Sequence, residues 1–307
     1  VNAYDVAGGI HMGSDHILLS DIEASKNSRG NRNAYGVYCY ASHDLVVRES
    51  KIFDSRKWMT SNHHAFSMVD CGDEGRILLE YNEIRNNFKD AAGECIGSKG
   101  ANENIVVRGN TLNKCGNGVL LTGERSSGPG AGESPKGFYE IHNNIISNSD
   151  VGIELDSESK GVTIHDNVFV NNDRSINVDG EDTLVWNNVF LNNEFSYYYD
   201  PIVEDGDSTH DFDVLKSQGL ETFNNLFSEN SYDYADRRNS WGNPFLAIMD
   251  HSQAYETDHI DVIWYKDDPE QRNVLEGDFA FHWEDGSFEV DPQLDDNFYP
   301  SNDSPVC

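Results

Sequence analysis

The sequence is short of positive charge. Its 307 residues include 22 lysines and arginines against 54 aspartates and glutamates, for a formal net charge of -32. Nucleic acid is therefore not expected as a partner, because phosphate binding needs clustered basic residues. Residues 1–125 are nearly neutral, with 14 basic and 16 acidic residues. If the chain binds a polyanion, we expect it to bind this first part.

Long apolar runs are also absent, so no membrane-spanning helix is expected. No signal peptide is visible, and the abrupt ends predict a trimmed domain of a protein that is secreted or held at the cell surface. Proline is scarce, with 8 residues, whereas glycine, with 26, and asparagine are plentiful. This composition favours short strands and many turns over helices.

The five cysteines are few and show neither a CxxC pair nor zinc-site spacing. They are Cys39, Cys71, Cys95, Cys115 and Cys307. Cys39 falls on an apolar position of a predicted strand. We therefore expect buried free thiols in a stacked core, with one disulfide possible.

An irregular repeat indicates the fold. Asparagine, any residue and an apolar residue recur in that order after alternating strands, at spacings of 21 to 37 residues. The copies begin at Asn82, Asn110, Asn144, Asn167, Asn188 and Asn225, with weaker copies at Ser20 and Ser50. No unit could bury its apolar face alone, so the units are expected to stack coil on coil. The asparagines predict an internal ladder in which each amide bonds those above and below.

A short strand upstream of each asparagine motif alternates between apolar and polar residues. Because side chains alternate across a strand, this pattern predicts which residues face the core. The predicted inward residues are Ile10, Met12, Val37, Cys39, Phe66, Met68, Val119, Leu121, Ile153, Leu155, Ile176 and Val178. A leucine-rich repeat is not supported, since there is no recurrent leucine frame and no steady spacing.

The repeat resembles the right-handed parallel β-helix of the pectate-lyase-like superfamily. The resemblance implies an all-β solenoid whose coils occupy residues 1–230, with long loops on one edge. Residues 231–307 are acidic, aromatic and only faintly periodic, and we expect them to form irregular coils and loops packed on the helix within the same domain. The protein is expected to be a monomer.

One stretch, GECIGSK at residues 93–99, is similar to a strand of β-helix alginate lyases and chondroitinase B. The resemblance implies a secreted polysaccharide lyase that cleaves an acidic, uronate-containing polysaccharide by calcium-assisted β-elimination. In this interpretation Lys99 removes the proton beside the uronate carboxylate, and Glu94 contributes to the calcium site. The chemistry requires a cation at that carboxylate and a base within reach of the proton.

The sequence departs from those lyases at two positions. Ala92 stands where they carry a second acidic ligand, so Asp70 or Asp90 is expected to supply the missing oxygen. Their arginine on the next coil is also absent from the strand GVLLTG, and Arg125 follows only a little later.

A basic, aromatic and histidine-containing strip surrounds these early strands. Arginine matches sugar carboxylates or sulfates through two parallel hydrogen bonds. The predicted substrate-binding residues are Arg32, Arg56, Lys57, His63 and Arg125. The predicted proton donor is Tyr38 or His64.

A second group of carboxylates provides an alternative site. The strands GIELDS and SINVDG place Glu154, Asp156, Asn177 and Asp179 outward on adjacent coils. They could bind calcium, with Asp156 and Asp179 as ligands, or act in a glycoside hydrolase or C5-epimerase. A further alternative is a non-catalytic surface or carbohydrate-binding β-helix.

Overall fold

The structure of the protein is a computed structural model. It describes residues 2–4, 10–12, 16–25, 34–40, 44–53, 63–69, 71, 75–85, 93–99, 102, 104–122, 138–155, 159, 161–178, 182–199, 219–223, 225–228, 230, 232–236, 246–250, 253–255, 263–265, 272–274, 281–283 and 288–289.

Every regular element in the described part of the chain is a strand. In chain order they are β1 (Asn2–Tyr4), β2 (Ile10–Met12), β3 (Ile17–Ser20), β4 (Glu23–Ser25), β5 (Ala34–Tyr40), β6 (Leu45–Arg48), β7 (Lys51–Phe53), β8 (His63–Val69), β9 (Ile77–Glu80), β10 (Glu83–Arg85), β11 (Gly93–Lys99), β12 (Ile105–Arg108), β13 (Thr111–Asn113), β14 (Asn117–Thr122), β15 (Tyr139–His142), β16 (Ile145–Ser147), β17 (Val151–Leu155), β18 (Val162–His165), β19 (Val168–Val170), β20 (Arg174–Val178), β21 (Thr183–Trp186), β22 (Val189–Leu191), β23 (Phe195–Tyr199), β24 (Gly219–Phe223), β25 (Leu226–Ser228), β26 (Tyr232–Asp236), β27 (Leu246–Asp250), β28 (Gln253–Tyr255), β29 (Ile263–Tyr265), β30 (Arg272–Val274), β31 (Phe281–Trp283) and β32 (Phe288–Glu289).

These strands form three long sheets, and each coil contributes one strand to each sheet. The first sheet has the order β1-β4-β7-β10-β13-β16-β19-β22-β25-β28-β32, the second β2-β5-β8-β11-β14-β17-β20-β23-β26-β29-β30, and the third β3-β6-β9-β12-β15-β18-β21-β24-β27-β31. Neighbouring strands are parallel, except that β30 runs antiparallel to β29. This arrangement is a parallel β-helix, which confirms the predicted fold class.

A narrow apolar core runs through the coils, and it confirms most of the predicted inward positions. Val37, Cys39, Phe66, Met68, Val119, Leu121, Ile153, Leu155 and Ile176 are all buried. Ile10 packs against this core. The side chains of Met12 and Val178 lie outside the described part of the structure.

The predicted asparagine ladder is present at the turn between the third and first sheets. At each step a backbone N–H and a side-chain amide donate to the Oδ1 atom of the asparagine on the next coil. Asn82 bonds Asn110 through both donors at 2.9 Å, and Asn110 bonds Asn144 at 2.9 and 3.0 Å. The same contacts continue through Asn167, Asn188 and Asn225. The amides thereby satisfy buried backbone groups that strand pairing leaves open.

The residue before each position of the first ladder has a left-handed backbone conformation, which turns the ladder side chain toward the interior. This residue has a φ between 51° and 63° at Asp21, Glu49, Tyr81, Gly109, Asn143, Asp166 and Asn187. Asparagine, aspartate and glycine tolerate this conformation better than most residues. The tight turn brings the next side chain inward.

The prediction of a ladder position at Ser20 is wrong. Ser20 pairs with Arg48 at the ends of β3 and β6, and the backbone N–H of Ile22 donates to Ser50 Oγ at 3.3 Å. Ile22 therefore occupies the ladder register on the first described coil. Ser50 is a true member, because its N–H donates to Asn82 Oδ1 at 3.1 Å.

A second ladder lies at the turn between the first and second sheets, and the sequence analysis missed it. At each step the backbone N–H of one ladder residue donates a hydrogen bond of 2.9 to 3.2 Å to the side-chain oxygen of the ladder residue on the next coil. The residues of this ladder, in chain order, are Cys115, Ser149, Asn172, Asn193 and Asn230. From Cys115 onward, the two ladders together hold successive coils of the β-helix in register at two of its turns.

The expectation of free thiols is also wrong. Cys39 and Cys71 form one disulfide, and Cys95 and Cys115 form another. All four cysteines are buried in the core. Cys307 lies outside the described residues.

Strands β26 to β32 lie beyond residue 230 and extend the three sheets. The division of the chain at that residue stays a prediction. Within the described residues, no helix has the length and apolar character needed to cross a membrane.

The ladder should carry a measurable part of the stability. We expect Asn110→Ala to lower the free energy of unfolding by about 3 kcal/mol, because it removes the Oδ1 acceptor of two Asn82 N–H groups and the side-chain donor to the Leu79 carbonyl. The matched control is Thr111→Ala at the exposed neighbouring position, for which we expect a change of less than about 1 kcal/mol. Urea unfolding followed by circular dichroism measures both. Equal losses in the two variants would contradict a special role for the ladder.

Candidate functional site

The outer face of the second sheet brings together residues that are about thirty positions apart in the chain. Strand pairing aligns Tyr35 with His64 and His64 with Glu94. Tyr40 aligns with Val69, which in turn aligns with Lys99. Because side chains at paired positions of parallel strands project from the same face, these residues form neighbouring columns. We call the group Tyr35, Tyr38, Tyr40, His64, Glu94 and Lys99 the tyrosine–histidine face.

Three tyrosines line the first strand of this face, β5. The ring centroids of Tyr35 and Tyr38 are 4.7 Å apart with an interplanar angle of 28°. The rings of Tyr38 and Tyr40 are nearly parallel, at 5°, with centroids 6.5 Å apart. All three side chains are partly exposed. Tyrosine combines an apolar ring with a polar hydroxyl, which suits contact with a sugar.

His64 and Glu94 form a buried ion pair beside these rings. Nδ1 of His64 contacts Oε2 of Glu94, and the two residues are 1% and 6% exposed. The imidazole also stacks on Tyr35, with ring centroids 5.5 Å apart. A Cβ atom at Gly97 would lie 2.7 Å from His64 Nδ1. The missing side chain of Gly97 therefore makes the space that the imidazole occupies.

The carboxyl group of Glu94 is held in its charged form. Burial acts to raise its pKa, but the hydrogen bond and positive charge of His64 outweigh that effect, with further help from the Glu94 backbone N–H and the charge of Lys99. The net result is a pKa below the ordinary value of 4.5. Glu94 therefore places a buried carboxylate beneath the face, in contact with His64.

Lys99 lies at the end of β11, where the sequence analysis placed it, and is partly exposed. Its backbone carbonyl accepts a hydrogen bond of 2.8 Å from Nδ2 of Asn102, which also donates to Ser98 Oγ at 2.9 Å. The buried Asn102 side chain thus fixes the end of this strand. Lys99 lies two strands from Tyr40, a separation of about 10 Å between backbones.

The structure brings together four of the predicted residues: Tyr38, His64, Glu94 and Lys99. The backbone of His63 begins β8, but its side chain is outside the described part. The other predictions, which also lie outside the described residues, are Arg32, Arg56, Lys57, Arg125, Asp70, Asp90, Asp156 and Asp179. Their roles stay predictions. No role was assigned from the sequence to Tyr35 or Tyr40. Tyr40 alternates with the core residues Val37 and Cys39, whereas strict alternation would have placed Tyr35 on the core face.

Of the second group of predicted carboxylate-site residues, the structure describes Glu154 and Asn177. They are paired between β17 and β20. Nδ2 of Asn117 donates a hydrogen bond to Oε2 of Glu154. These residues continue the outer face of the second sheet beyond Lys99.

A histidine cluster on the outer face of the third sheet was missed. His142, His165 and Trp186 stack in consecutive coils, with centroid distances of 4.9 and 4.4 Å. The ring nitrogens of His165 contact Asp166 Oδ2 at 2.8 Å and Glu140 Oε1 at 3.2 Å. The shared position of His142, His165 and Trp186, two residues before each ladder asparagine, could have revealed this stack from the repeat.

Comparison with known proteins gives one family. A family model described as "Periplasmic copper-binding protein (NosD)" matches residues 14–207, more than half of the chain. No curated protein matches the sequence.

The described residues do not fit a copper site. They contain no group of three His, Cys, Asp or Glu side chains that could hold a metal ion. Copper prefers imidazole, thiolate and thioether ligands, but the four described cysteines are in disulfides and Met68 is enclosed in the core. No step of the function proposed below uses copper.

The lowered pKa of Glu94 predicts a pH-dependent contribution to stability. We expect Glu94→Gln to lower the free energy of unfolding by roughly 2 kcal/mol at pH 7, since a charged hydrogen bond is lost. The difference from the native protein should shrink as the pH falls below 4.5, where the native carboxylate gains its proton and loses the same interaction.

Urea unfolding at several pH values measures this difference. Glu83→Gln is the matched control, because its carboxylate is exposed and 3.5 Å from Lys51; we expect a change of at most about 0.5 kcal/mol. A Glu94→Gln difference that stays constant down to pH 3 would show that the charge of Glu94 does not stabilise the fold.

Proposed function

The chain belongs to the NosD family, a family of right-handed parallel β-helices, and on that fold we propose that the tyrosine–histidine face binds an acidic polysaccharide and cleaves it by β-elimination. One observation carries the proposal. A partly exposed lysine, three partly exposed tyrosines and a buried histidine–carboxylate pair share one outer face of the second sheet in a strongly acidic protein. An acidic polymer would meet its aromatic contacts and its positive charge at the same place.

The location of the protein is consistent with such a substrate. The family is described as periplasmic, and disulfides persist mainly outside the reducing cytoplasm. The two buried disulfides therefore support the predicted export of the chain. Secreted, periplasmic and cell-surface locations all allow access to polysaccharide.

Lys99 is the proposed base. In its neutral form, Nζ would take the proton from C5 of a uronate, and the electron pair of that C–H bond would form the double bond between C4 and C5. The C4–O bond breaks, and its electron pair moves to the leaving glycosidic oxygen. Proton transfer by a positioned side chain commonly contributes 10²- to 10⁴-fold to a rate.

Tyr38 is the proposed acid, which donates its hydroxyl proton to the leaving oxygen. The sequence analysis left the choice between Tyr38 and His64 open. His64 is 1% exposed, and its Nδ1 is engaged by Glu94, so it is poorly placed to touch a polymer. We assign His64 to holding Glu94 and to supporting Tyr35 by stacking.

Calcium at Glu94 has little support from this arrangement. The carboxylate is buried and paired with His64, whereas calcium prefers several accessible oxygen ligands. We still propose that calcium assists the reaction at the substrate, because the uronate carboxylate needs a positive partner during proton removal.

A second candidate function is polysaccharide binding without cleavage. The burial of His64 and Glu94 favours it, because two of the four clustered candidates then serve the fold. The hydrolase or epimerase alternative depends on Glu154, Asp156 and Asp179 instead of Lys99. Elimination, hydrolysis and epimerisation would give different products from the same polymer, and binding without cleavage would give none.

The test is ultraviolet absorbance on a panel of uronate polymers, with calcium and with chelator. Elimination creates an unsaturated, absorbing product. We expect Lys99→Ala and Tyr38→Phe each to lower the rate at least about 100-fold. Lys51→Ala, an exposed lysine in β7 of the first sheet, is the matched control and should keep the native rate.

Other outcomes point elsewhere. New reducing ends without absorbance would indicate hydrolysis, and a change in uronate stereochemistry without chain shortening would indicate epimerisation. Binding of a polymer without any product would establish the non-catalytic function. No binding and no product on any polymer would refute the proposed function.

A further inference from the structure

The amide oxygen of Asn177 is buried without a hydrogen-bond partner in the described part of the chain. Asn177 lies in β20 and is 7% exposed, and its Oδ1 atom receives no hydrogen bond from a described residue. Its chain neighbour Ile176 faces the core, so the side chain of Asn177 belongs to the outer face of the second sheet. Buried amide oxygens in folded proteins are almost always paired. This oxygen therefore indicates a ligand that brings a hydrogen-bond donor to the outer face.

Strand pairing places Asn177 in one column with Gly97, which lies under the imidazole of the tyrosine–histidine face. From Gly97 the column continues along the helix through Leu120, Glu154 and Asn177. Asn177 is therefore three strands, or about 14 Å, from Gly97. Leu120 is partly exposed and offers an apolar contact on the way. Glu154 is engaged by Asn117 and is assigned no contact with a ligand.

The chemistry of the amide oxygen selects the group that it binds. Oδ1 accepts hydrogen bonds and does not donate them, so its partner is a hydroxyl or an N–H group. The carboxylate of a uronate cannot serve, because an ionised carboxylate has no proton to donate. The hydroxyl groups of each sugar unit can. We propose that Asn177 binds a hydroxyl group of the same polysaccharide chain that presents a uronate to Lys99.

This contact sets the direction of the polymer on the protein. Tyr35, Tyr38 and Tyr40 follow one another along β5, so a polymer that touched only these rings could run across the helix axis. Lys99 in β11 and Asn177 in β20 are three strands apart in the second sheet, so a polymer that touches both runs along the axis. The binding site then favours long chains over short ones. This role rests on the proposed function, which supplies the polymer and its position at Lys99.

Isothermal titration calorimetry with oligosaccharides of different length tests the contact in the full chain. The ligands are disaccharides and decasaccharides prepared from polygalacturonate, alginate and hyaluronan, and a Lys99→Ala background prevents cleavage during the titration. We expect Asn177→Leu to weaken the binding of decasaccharides about fivefold, the typical effect of losing one hydrogen bond. Disaccharides are too short to reach from Lys99 to Asn177, so their binding should not change.

Urea unfolding separates a role in binding from a role in the fold. Leucine has a branched shape like that of asparagine and leaves no buried oxygen unpaired, so Asn177→Leu should keep or raise the midpoint of unfolding. Asn113→Leu is the matched control for binding. Asn113 lies in β13 of the first sheet, where its Nδ2 donates to Ser147 Oγ at 2.8 Å. This control should bind decasaccharides as tightly as the background protein does.

The Asn177 contact is refuted if Asn177→Leu binds decasaccharides as tightly as the background protein, weakens disaccharides to the same extent, or lowers the midpoint of unfolding. Cleavage of a polymer by the native protein, with no effect of Asn177→Leu, would leave the lyase function standing and remove the contact. Length-dependent weakening without cleavage by the native protein would support the contact and refute the lyase reaction. If no oligosaccharide binds, both the contact and the proposed function fail.

Discussion

The hydrogen-bonded alignment of one coil with the next is the constraint on which the rest of the structure depends. Strand pairing sets most of this alignment, but strands alone leave the turns with buried donors and acceptors. The asparagine ladders satisfy those groups and fix the turns to the same register. The chain between ladder residues can therefore vary from 21 to 37 residues without disturbing the stack.

The same constraint builds the candidate site. Tyr35, His64 and Glu94 follow one another at intervals of about thirty residues in the sequence, yet each lies one strand from the next. The buried contact of His64 with Glu94 can form only because this register is fixed, since a carboxylate removed from water needs a well-placed partner. Gly97 completes the arrangement by leaving room for the imidazole. Position in the repeat thus determines which side chains can act together.

Much of the fold could be predicted from the sequence, because alternation and the repeated asparagine are local patterns. The core positions and six asparagines of the first ladder followed from them. Ser20 was misplaced because Ile22, an apolar residue, holds the ladder register on its coil. The second ladder was missed because several of its residues, such as Cys115, Ser149 and Asn172, do not follow the asparagine–any–apolar pattern. The disulfides depend on distances between coils, which cysteine spacing alone does not give.

The candidate site was harder to predict for a related reason. Lys99 and Glu94 were found through similarity within one strand, whereas the contact of Glu94 with His64 requires the register between strands. That contact gives Glu94 a buried histidine partner, which similarity within one strand does not reveal.

The first ladder has a direction. At every step the donors belong to the earlier coil and the acceptor to the later one, from Asn82 to Asn110 and onward. Removing a coil from the carboxyl-terminal side would leave two N–H donors of the last ladder asparagine without their acceptor. Removing one from the amino-terminal side would leave one Oδ1 acceptor without its donors and only one side-chain N–H without its carbonyl, such as that from Asn110 to Leu79. Unpaired buried N–H groups are the rarer of the two in proteins. The solenoid is thus polar along its axis, and its two ends differ in how readily they could be shortened, capped or extended.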